Sequence, residues 1–384
     1  MKKVEWDKFN NDNEALEYLK KLPRYKNNSV KSLLHRADFF FSLVGARLFN
    51  ISCKPIFVVL VTNNGCNLNC RYCYGSYGER KVKDYTTIEL LKIIDELKLL
   101  GNKILHMHGG EALIRKDIDE IFNYAKLKGF YVSVNINGFN VPNKINILKQ
   151  LDAICISLDG REENHDKNRG EGAYKTAVDA IDLLRSNNIA PIVHSTLTKN
   201  NIEDMEYLAQ YVQDKNLRVQ YSILYKSSEM ESKFPDLIME DSEIRETVKK
   251  ILELKHKGYP VYYSDNVLEA AINWPFNCNE KASIKKEDNF KKNKNLIHCF
   301  HGKLKYQIDA DGRVITCWGH DYPDAPNVKE LGVKKAIEQC HKNDSCEHCA
   351  FLANNEHNAL MNLGFSNIFN ILKIQVIDAL KLRK

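Results

Sequence analysis

Short apolar runs alternate with amphipathic stretches of helical period through the first two thirds of the chain. The apolar runs, rich in Val and Ile, cover 56–62, 104–108, 131–136, 153–158, 191–197 and 218–224, and helical stretches lie at 86–100, 117–129, 142–150, 174–187, 203–214 and 240–258. Strict alternation of this kind predicts a parallel sheet with helices outside it. Because only six units occur, the pattern predicts an α/β fold of the partial (β/α)6 TIM-like barrel type.

The segments outside the barrel suggest further domains. We predict an N-terminal helical extension (1–54), the barrel (55–230), a helical linker (231–295), a small cysteine-rich region (296–352) and a C-terminal helix (353–384). The linker ends in KKEDNFKKNKN, which offers no apolar face to bury. The cysteine-rich region contains YQIDADGRVIT, where Asp-Gly between two alternating runs predicts a hairpin.

Composition and charge narrow the class of protein. The 384 residues are 43% hydrophobic, and 56 basic residues face 50 acidic ones, so the net charge of +6 gives no reason to expect nucleic acid as a partner. The N-terminus lacks the apolar core of a signal peptide, and the eleven cysteines are odd in number. We therefore expect a cytoplasmic protein whose clustered cysteines bind metal, with no transmembrane helix.

Three cysteines follow the first predicted strand on one loop. Cys66, Cys70 and Cys73 in NNGCNLNCRYCYG form a Cys-x3-Cys-x2-Cys arrangement at the edge of the sheet where active sites of such folds gather. A cubane cluster takes four ligands, so three thiolates leave one iron open for chemistry. A zinc knuckle completed by a distant residue is the structural alternative.

With Tyr72 directly before the last cysteine, this loop resembles the signature of the radical S-adenosylmethionine (radical SAM) superfamily. The resemblance implies a 4Fe–4S cluster that binds S-adenosylmethionine. It also implies a Gly-Gly-Glu element at the end of the second strand that holds the methionyl amino group, which Gly109, Gly110 and Glu111 match. The usual following proline is Ala112 here, a departure that alters loop stiffness more than chemistry.

Polar residues after the third and fourth strands complete the set that the resemblance implies. Asn137, Ser157 and Asp159 would face the ribose and methionine of the cofactor, and Arg169 would pair with its carboxylate. From the residues alone, Asn137 and Asp159 precede glycines and suit turns equally well, and Arg169 suits a solvated loop. No catalytic side chain is assigned, because the cofactor carries the chemistry.

A second cysteine set lies near the C-terminus. Cys299, twelve residues, Gly312, four residues and Cys317 are followed by the pair Cys346 and Cys349. This pattern resembles the twitch region, a shortened SPASM domain, and implies one auxiliary 4Fe–4S cluster. Cys340 is an alternative ligand, and a zinc ribbon is the alternative site. We interpret the remaining thiols as ordinary buried cysteines: Cys53, Cys155 and Cys278.

The resemblance implies reductive cleavage of S-adenosylmethionine to a 5'-deoxyadenosyl radical, which abstracts hydrogen from an unactivated C–H bond. An auxiliary cluster that accepts an electron favours an oxidative outcome on a peptide or small molecule, with flavodoxin or ferredoxin as electron donor. Radical modification of a lipid or isoprenoid is an alternative, because the apolar helices at 33–49 and 366–384 suit peripheral contact with a membrane, although core or dimer packing explains them too. A non-catalytic zinc-binding barrel is the other alternative.

Overall fold

The structure is a computed structural model that describes residues 4–27, 29–291, 293, 295–317, 324–343, 346–364 and 368. Its contacts form two compact units. The first comprises Met1–Asn69, Tyr74–Ile154 and His301–Asp344, and the second comprises Cys70–Cys73, Cys155–Phe300 and Ser345–Lys384. Both units draw on distant parts of the chain, so the five predicted domain limits stay predictions.

Helices and strands alternate as the sequence predicts. The strands are β1 Phe57–Val61, β2 Ile104–His108, β3 Tyr131–Ile136, β4 Ala153–Ser157, β5 Ile192–Leu197, β6 Arg218–Ile223, β7 Ser283–Lys285, β8 Lys305–Ile308, β9 Val314–Ile315 and β10 Cys346–Cys349. The helices are α1 Asp12–Lys20, α2 Ser29–Leu48, α3 Thr87–Leu99, α4 Ile118–Leu127, α5 Val141–Leu148, α6 Glu162–Arg169, α7 Ala173–Ser186, α8 Met205–Asp214, α9 Ser228–Lys233, α10 Asp241–His256, α11 Asp265–Ile272, α12 Val328–Leu331, α13 Val333–Lys342 and α14 Leu352–Met361.

The sheet of the first unit has the order β3-β2-β1-β8-β9. Strands β1, β2 and β3 pair in parallel, with Phe57 opposite Ile104 and Ile104 opposite Tyr131. Strand β8 pairs in parallel with β1 on its other side, and β9 returns antiparallel to β8. The predicted hairpin is therefore present, with Gly312 at φ 100°, and it extends the sheet of the first unit.

The second unit contains the other barrel strands and a small separate sheet. Strand β5 pairs in parallel with β4 and β6. Strands β7 and β10 form an antiparallel pair, whose register shifts between Cys346 and His348. The boundary between the units falls inside β4, after Ile154.

The predicted fold class is confirmed. Strands β2 and β3 have the predicted bounds, and β1, β4, β5 and β6 differ from theirs by a single residue at one or both ends, as expected where terminal hydrogen bonds fray. The N-terminal extension is helical, as predicted, in α1 and α2. The predicted C-terminal helix 366–384 lies outside the described residues, apart from Ile368.

Helix α3 shows how the N-terminal extension is tied to the barrel. Thr86 and Glu89 form a capping box at its start. Asp12 of α1 accepts hydrogen bonds from the backbone N–H groups of Thr87 (3.0 Å) and Ile88 (3.1 Å). These two bonds satisfy donors that every helix leaves open at its N-terminus, so α1 stabilises the first crossover helix.

Within the described residues, no helix is both long and apolar enough to cross a bilayer.

A buried ion pair holds the start of β3. Lys126 of α4 binds Asp152, and both side chains are fully buried. Asp152 also accepts a hydrogen bond from the Val132 N–H at 2.7 Å, and Lys126 donates to the Phe130 carbonyl at 3.2 Å. The pair therefore fixes the strand whose far end carries Asn137.

We expect Lys126→Met to destabilise the protein by about 3–5 kcal/mol, because it leaves the Asp152 carboxylate buried without its counter-charge. Urea unfolding followed by circular dichroism measures this. The matched control is Lys175→Met, which removes an exposed pair with Asp179 and should change stability by less than about 0.5 kcal/mol. Equal shifts of the two midpoints would contradict the role of burial.

Candidate functional site

In the first unit, the loop after β1 is hydrogen-bonded to the turn after β2. The Gly110 N–H donates to the Asn63 carbonyl at 3.0 Å, and the Glu111 N–H donates to the Gly65 carbonyl at 2.9 Å. The Asn63 amide group donates to the carbonyls of Gly65 (2.8 Å) and Glu111 (3.1 Å). These bonds hold the start of the cysteine loop against the Gly-Gly-Glu turn.

The two glycines of this turn have a steric reason to be glycine. A Cβ on Gly110 would lie 2.4 Å from the Gly65 carbonyl oxygen and 2.8 Å from Cys66 Cβ. A Cβ on Gly109 would lie 2.4 Å from Oδ1 and 2.8 Å from the carbonyl oxygen of Asn63. The absence of a side chain therefore allows the turn and the cysteine loop to approach each other closely.

Glu111 is a buried carboxylate held by backbone donors. Its Oε1 accepts from the Leu113 N–H at 3.0 Å, and its Oε2 accepts from the Asn137 N–H at 2.7 Å. Burial raises the pKa of Glu111 to about 7, against the opposing effect of these two hydrogen bonds. A cation bound here would favour the charged carboxylate.

Asn137 connects the end of β3 to both neighbours. Its backbone N–H reaches Glu111, and its side-chain amide donates to Oδ1 of Asn67 on the cysteine loop at 2.8 Å. Its own Oδ1 accepts from the Phe139 N–H at 3.2 Å, and Gly138 has φ 101°. Asn137 is thus part of a turn, which is one of the two interpretations that the sequence allows, and it also contacts the candidate site.

In the second unit, Asp159 and Arg169 form a buried ion pair. Arg169 donates from Nε to Oδ2 of Asp159 at 2.7 Å and from Nη2 to Oδ1 at 3.1 Å. The Tyr72 hydroxyl also binds Oδ2, and the Thr196 N–H donates to Oδ1 at 3.0 Å. Arg169 is only 8% exposed, so the interpretation of a solvated loop charge is wrong.

The ion pair between Asp159 and Arg169 places the positive charge of Arg169 next to Cys70 of the cysteine loop. Nη1 of Arg169 lies 4.0 Å from Sγ of Cys70, and the guanidinium lies over the Tyr72 ring at 5.3 Å from its centroid. Burial alone would raise the pKa of Asp159, but the Arg169 guanidinium outweighs it and holds that pKa at about 2. Asp159 is therefore ionised, and its oxygens contact protein groups.

Ser157 lies half-buried at the end of β4, opposite His194 of β5 in the parallel register. The His194 Nε2 lies 2.8 Å from the Ser222 hydroxyl oxygen. Burial lowers the pKa of His194 to about 4, so this imidazole is neutral at pH 7. The half-buried position leaves the predicted role of Ser157 a prediction.

Three of the four predicted auxiliary ligands belong to the second unit. The Cys299 N–H donates to the Glu347 carbonyl at 2.6 Å, which joins this cysteine to the strand that carries Cys346 and Cys349. The Cys349 carbonyl accepts from the Asn355 amide group at 2.8 Å. All three thiols are buried, so a soft metal bound there would be shielded from water.

The fourth predicted auxiliary ligand and its alternative belong to the first unit. Cys317 follows β9, and Cys340 lies on α13; both are buried. Among the other thiols, Cys278 is buried as predicted, whereas Cys53 and Cys155 are half-buried. In the part of the chain that the structure describes, no three His, Cys, Asp or Glu side chains are gathered as a metal-binding group. The ligand sets stay predictions.

Two buried residues of these hydrogen-bond networks, Asn63 and His165, were not among the residues predicted from the sequence. Asn63 is 1% exposed and makes the bonds described above; its signal is its place directly after the first strand. His165 accepts the Asp159 N–H on Nδ1 at 3.0 Å. The signal for His165 is its place in the HDKNR segment that also carries Arg169.

Comparison with known families adds a decisive observation. Residues 60–212 match the family model described as the Radical SAM superfamily. This stretch contains the three loop cysteines and the Gly-Gly-Glu turn. Residues 60–212 form a radical SAM domain.

Two curated proteins and one solved structure illustrate what this chain is similar to. It is 30% identical to Fe-coproporphyrin III synthase of Methanosarcina barkeri over 218 residues, and this aligned stretch covers 54% of each of the two chains. It is 30% identical over 155 residues to the sporulation killing factor maturation protein SkfB of Bacillus subtilis, which covers 39% of this chain and 38% of SkfB. The fold resembles Streptococcus suis SuiB bound to its precursor peptide SuiA, with a TM-score of 0.59 and 14% identity over 85% of this chain and 76% of SuiB.

The match confirms the predicted enzyme class, a radical SAM enzyme, and the cofactors of that class, a 4Fe–4S cluster and S-adenosylmethionine. The fold resembles that of SuiB over 86% of this chain, with a TM-score of 0.58 and 14% identity, and the twitch- or SPASM-like region with its auxiliary cluster stays a prediction. The chain spans about half the length of the first curated relative and less of SkfB. Its reaction, substrate and partners are therefore proposals.

We expect Gly110→Ala to lower stability by about 1–3 kcal/mol and to reduce the iron bound after reconstitution, because the new methyl group must displace the loop before Cys66. Urea unfolding of the apo protein and iron analysis measure the two effects. Gly45→Ala in α2 is the control, since its Cβ would meet nothing within 4 Å and alanine favours a helix. Unchanged stability and iron content in Gly110→Ala would refute the steric explanation.

We expect Asp159→Asn to destabilise the protein by about 3–5 kcal/mol at neutral pH, because it leaves the Arg169 guanidinium buried without a counter-charge. The pKa of Asp159 is lowered from its ordinary 3.8 to about 2. The wild type should therefore keep this contribution above about pH 4 and lose it as the pH falls toward 2, whereas the variant should lack that loss.

Urea midpoints at several pH values between 2 and 7 test this (about 2 kcal/mol is at stake over that window). Asp179→Asn, which affects an exposed pair, should behave as the wild type does. Parallel pH profiles of wild type and Asp159→Asn would rule out the ion pair as the source.

Proposed function

We propose that this chain reductively cleaves S-adenosylmethionine and uses the 5'-deoxyadenosyl radical to abstract hydrogen from an unactivated C–H bond of a peptide or small molecule. The SAM-binding cluster would supply the electron for this cleavage, with a flavodoxin or ferredoxin as its donor, and methionine and 5'-deoxyadenosine would be the products. Cys66, Cys70 and Cys73 would hold that cluster.

The observation that carries the proposal is the hydrogen-bonded contact between the start of the cysteine loop and the Gly-Gly-Glu turn. Cys66 Cβ lies so close to Gly110 that no side chain fits between them. Glu111, the next residue, holds a buried carboxylate. A soft metal ligand and an acceptor for an ammonium group thus come from neighbouring strand ends of the first unit, as a ligand that chelates a cluster through its amino group requires.

Glu111 suits the methionyl ammonium for an electrostatic reason. A carboxylate with a pKa near 7 gains its full charge when a cation binds beside it. The two backbone N–H groups keep its oxygens in place meanwhile. Glu111 would therefore orient the amino group, and Asn137 would fix Glu111.

Arg169 would act on the cluster through Cys70. A fixed positive charge 4.0 Å from a thiolate ligand favours the more negative state of a cluster, which is its reduced state. Asp159 holds the guanidinium in that position. Tyr72, Ser157 and Asp159 would shape the surrounding pocket, where exclusion of water protects a radical.

We further propose that Cys299, Cys317, Cys346 and Cys349 hold one auxiliary 4Fe–4S cluster. Four protein thiolates leave no open iron, so this cluster would accept an electron from the substrate radical, and the substrate would lose a proton to solvent. The outcome would be oxidative. The names of SkfB, a maturation protein, and of Fe-coproporphyrin III synthase support a peptide or a small molecule as substrate.

The experiment is anaerobic reconstitution with iron and sulfide analysis, followed by an assay for 5'-deoxyadenosine in the presence of dithionite and S-adenosylmethionine. We expect about eight irons per wild-type chain, because each cubane cluster holds four, together with 5'-deoxyadenosine.

A variant with Cys66, Cys70 and Cys73 all replaced by Ala should keep about four irons with a 4Fe–4S spectrum and form no 5'-deoxyadenosine. The matched control Cys53→Ala should behave as wild type. If the triple variant retained no cluster, the auxiliary site would be lost from the proposal. Zinc in place of iron, with no cleavage, would favour the structural zinc-binding barrel.

A further inference from the structure

Helix α2 has apolar side chains on two opposite faces. Phe39, Leu43 and Ala46 pack into the first unit and are 9%, 0% and 2% exposed. Other large apolar side chains of the same helix are exposed by 61% to 75%: Val30, Leu33, Leu34, Phe41 and Leu48. One face therefore supports the fold, and the other is in contact with solvent.

The exposed side chains form one continuous stripe. Val30, Leu34, Phe41 and Leu48 follow one another at intervals of four and seven residues, which places them on one line along a helix. Just past the helix, Phe49 is 78% exposed and Ile51 is 43% exposed. An apolar surface of this extent is unusual on a soluble protein unless something binds it.

The charge around this stripe is strongly one-sided. Residues 20–54 contain eight Lys and Arg residues and a single acid, Asp38, whereas the whole chain is nearly balanced at 56 to 50. Two of the eight, Lys20 and Arg24, lie before α2 and form ion pairs with Glu17 and Glu120. Asp38 forms an ion pair with Lys103 at 2.8 Å. Lys31 and Arg47 are exposed and lie on either side of the stripe by helical position.

We propose that the exposed stripe of α2 lies on the surface of an anionic lipid bilayer. An interfacial helix carries Leu and Phe on one face and Lys or Arg beside them, so that the apolar side chains enter the acyl boundary while the basic ones reach the headgroups. The basic flanks complement anionic headgroups and not zwitterionic ones. The buried face of α2 would keep the rest of the first unit attached.

The charge also distinguishes lipid from a second copy of this chain. Two copies paired through this stripe would bring two basic flanks together with one acid each, which costs electrostatic energy. Binding to an anionic surface is instead favoured by the attraction between its headgroups and the basic residues on both sides of the stripe. The contact is independent of the proposed reaction, since it uses no residue of the candidate site.

The test is flotation of the full-length protein with vesicles, either pure phosphatidylcholine or equal parts of phosphatidylcholine and phosphatidylglycerol. We expect wild-type protein to float with the anionic vesicles alone, and less so when salt rises from about 0.1 to 1 M, which shortens the Debye length. The double variant Leu34→Glu, Phe41→Glu should lower the partition at least about tenfold. Both positions are exposed, so the fold should persist, and circular dichroism checks it.

Leu331→Glu is the matched control, a partly exposed leucine of the same unit on α12, and it should float as wild type does. Three results would overturn the proposal. The first is wild-type protein that does not bind the anionic vesicles. The second is a double variant that floats unchanged, which would assign lipid binding to another part of the chain. The third is a wild-type dimer in sedimentation that the double variant abolishes, which would assign the stripe to self-association.

Discussion

The hydrogen-bonded contact between the loop after β1 and the turn after β2 is the constraint on which the candidate site depends. Parallel strands bring both loops to one edge, where their backbone groups must find partners as they leave the sheet. Asn63, Gly65, Gly110 and Glu111 satisfy one another. The contact leaves no room for a Cβ on the turn, and it thereby fixes where Cys66 begins the cysteine loop.

The site also shows two solutions to the burial of a carboxylate. Glu111 has backbone donors and no basic side chain among its hydrogen-bond partners described above, so burial dominates and its pKa rises to about 7. Asp159 has Arg169, and its pKa falls to about 2. The first carboxylate gains from a cationic ligand, whereas the second already has its counter-charge within the protein. This difference makes Glu111 the better candidate for contact with a cofactor ammonium, and Asp159 the better candidate for positioning Arg169 and Tyr72.

Helix α2 extends the picture beyond the barrel. Its inner face is needed for packing, which explains why an apolar helix lies here, but packing explains only some of its apolar residues. The outer stripe and the basic flanks follow a different requirement, that of an anionic surface. An enzyme held at such a surface would meet substrates or electron donors that gather there.

The sequence by itself determined the alternation of strands and helices, the two cysteine sets and the family motifs. These follow from local period and short spacing, which the chain encodes residue by residue. The sequence identifies Arg169 as a candidate residue, but it does not predict that Arg169 is buried against Asp159. A separation of ten residues along the chain does not determine solvent exposure. Only the tertiary structure placed β8 beside β1, packed Gly110 on Cys66 and left the stripe of α2 exposed. Each of these depends on which distant backbone or side chain fills the neighbouring space, and hydrophobic periodicity does not record that.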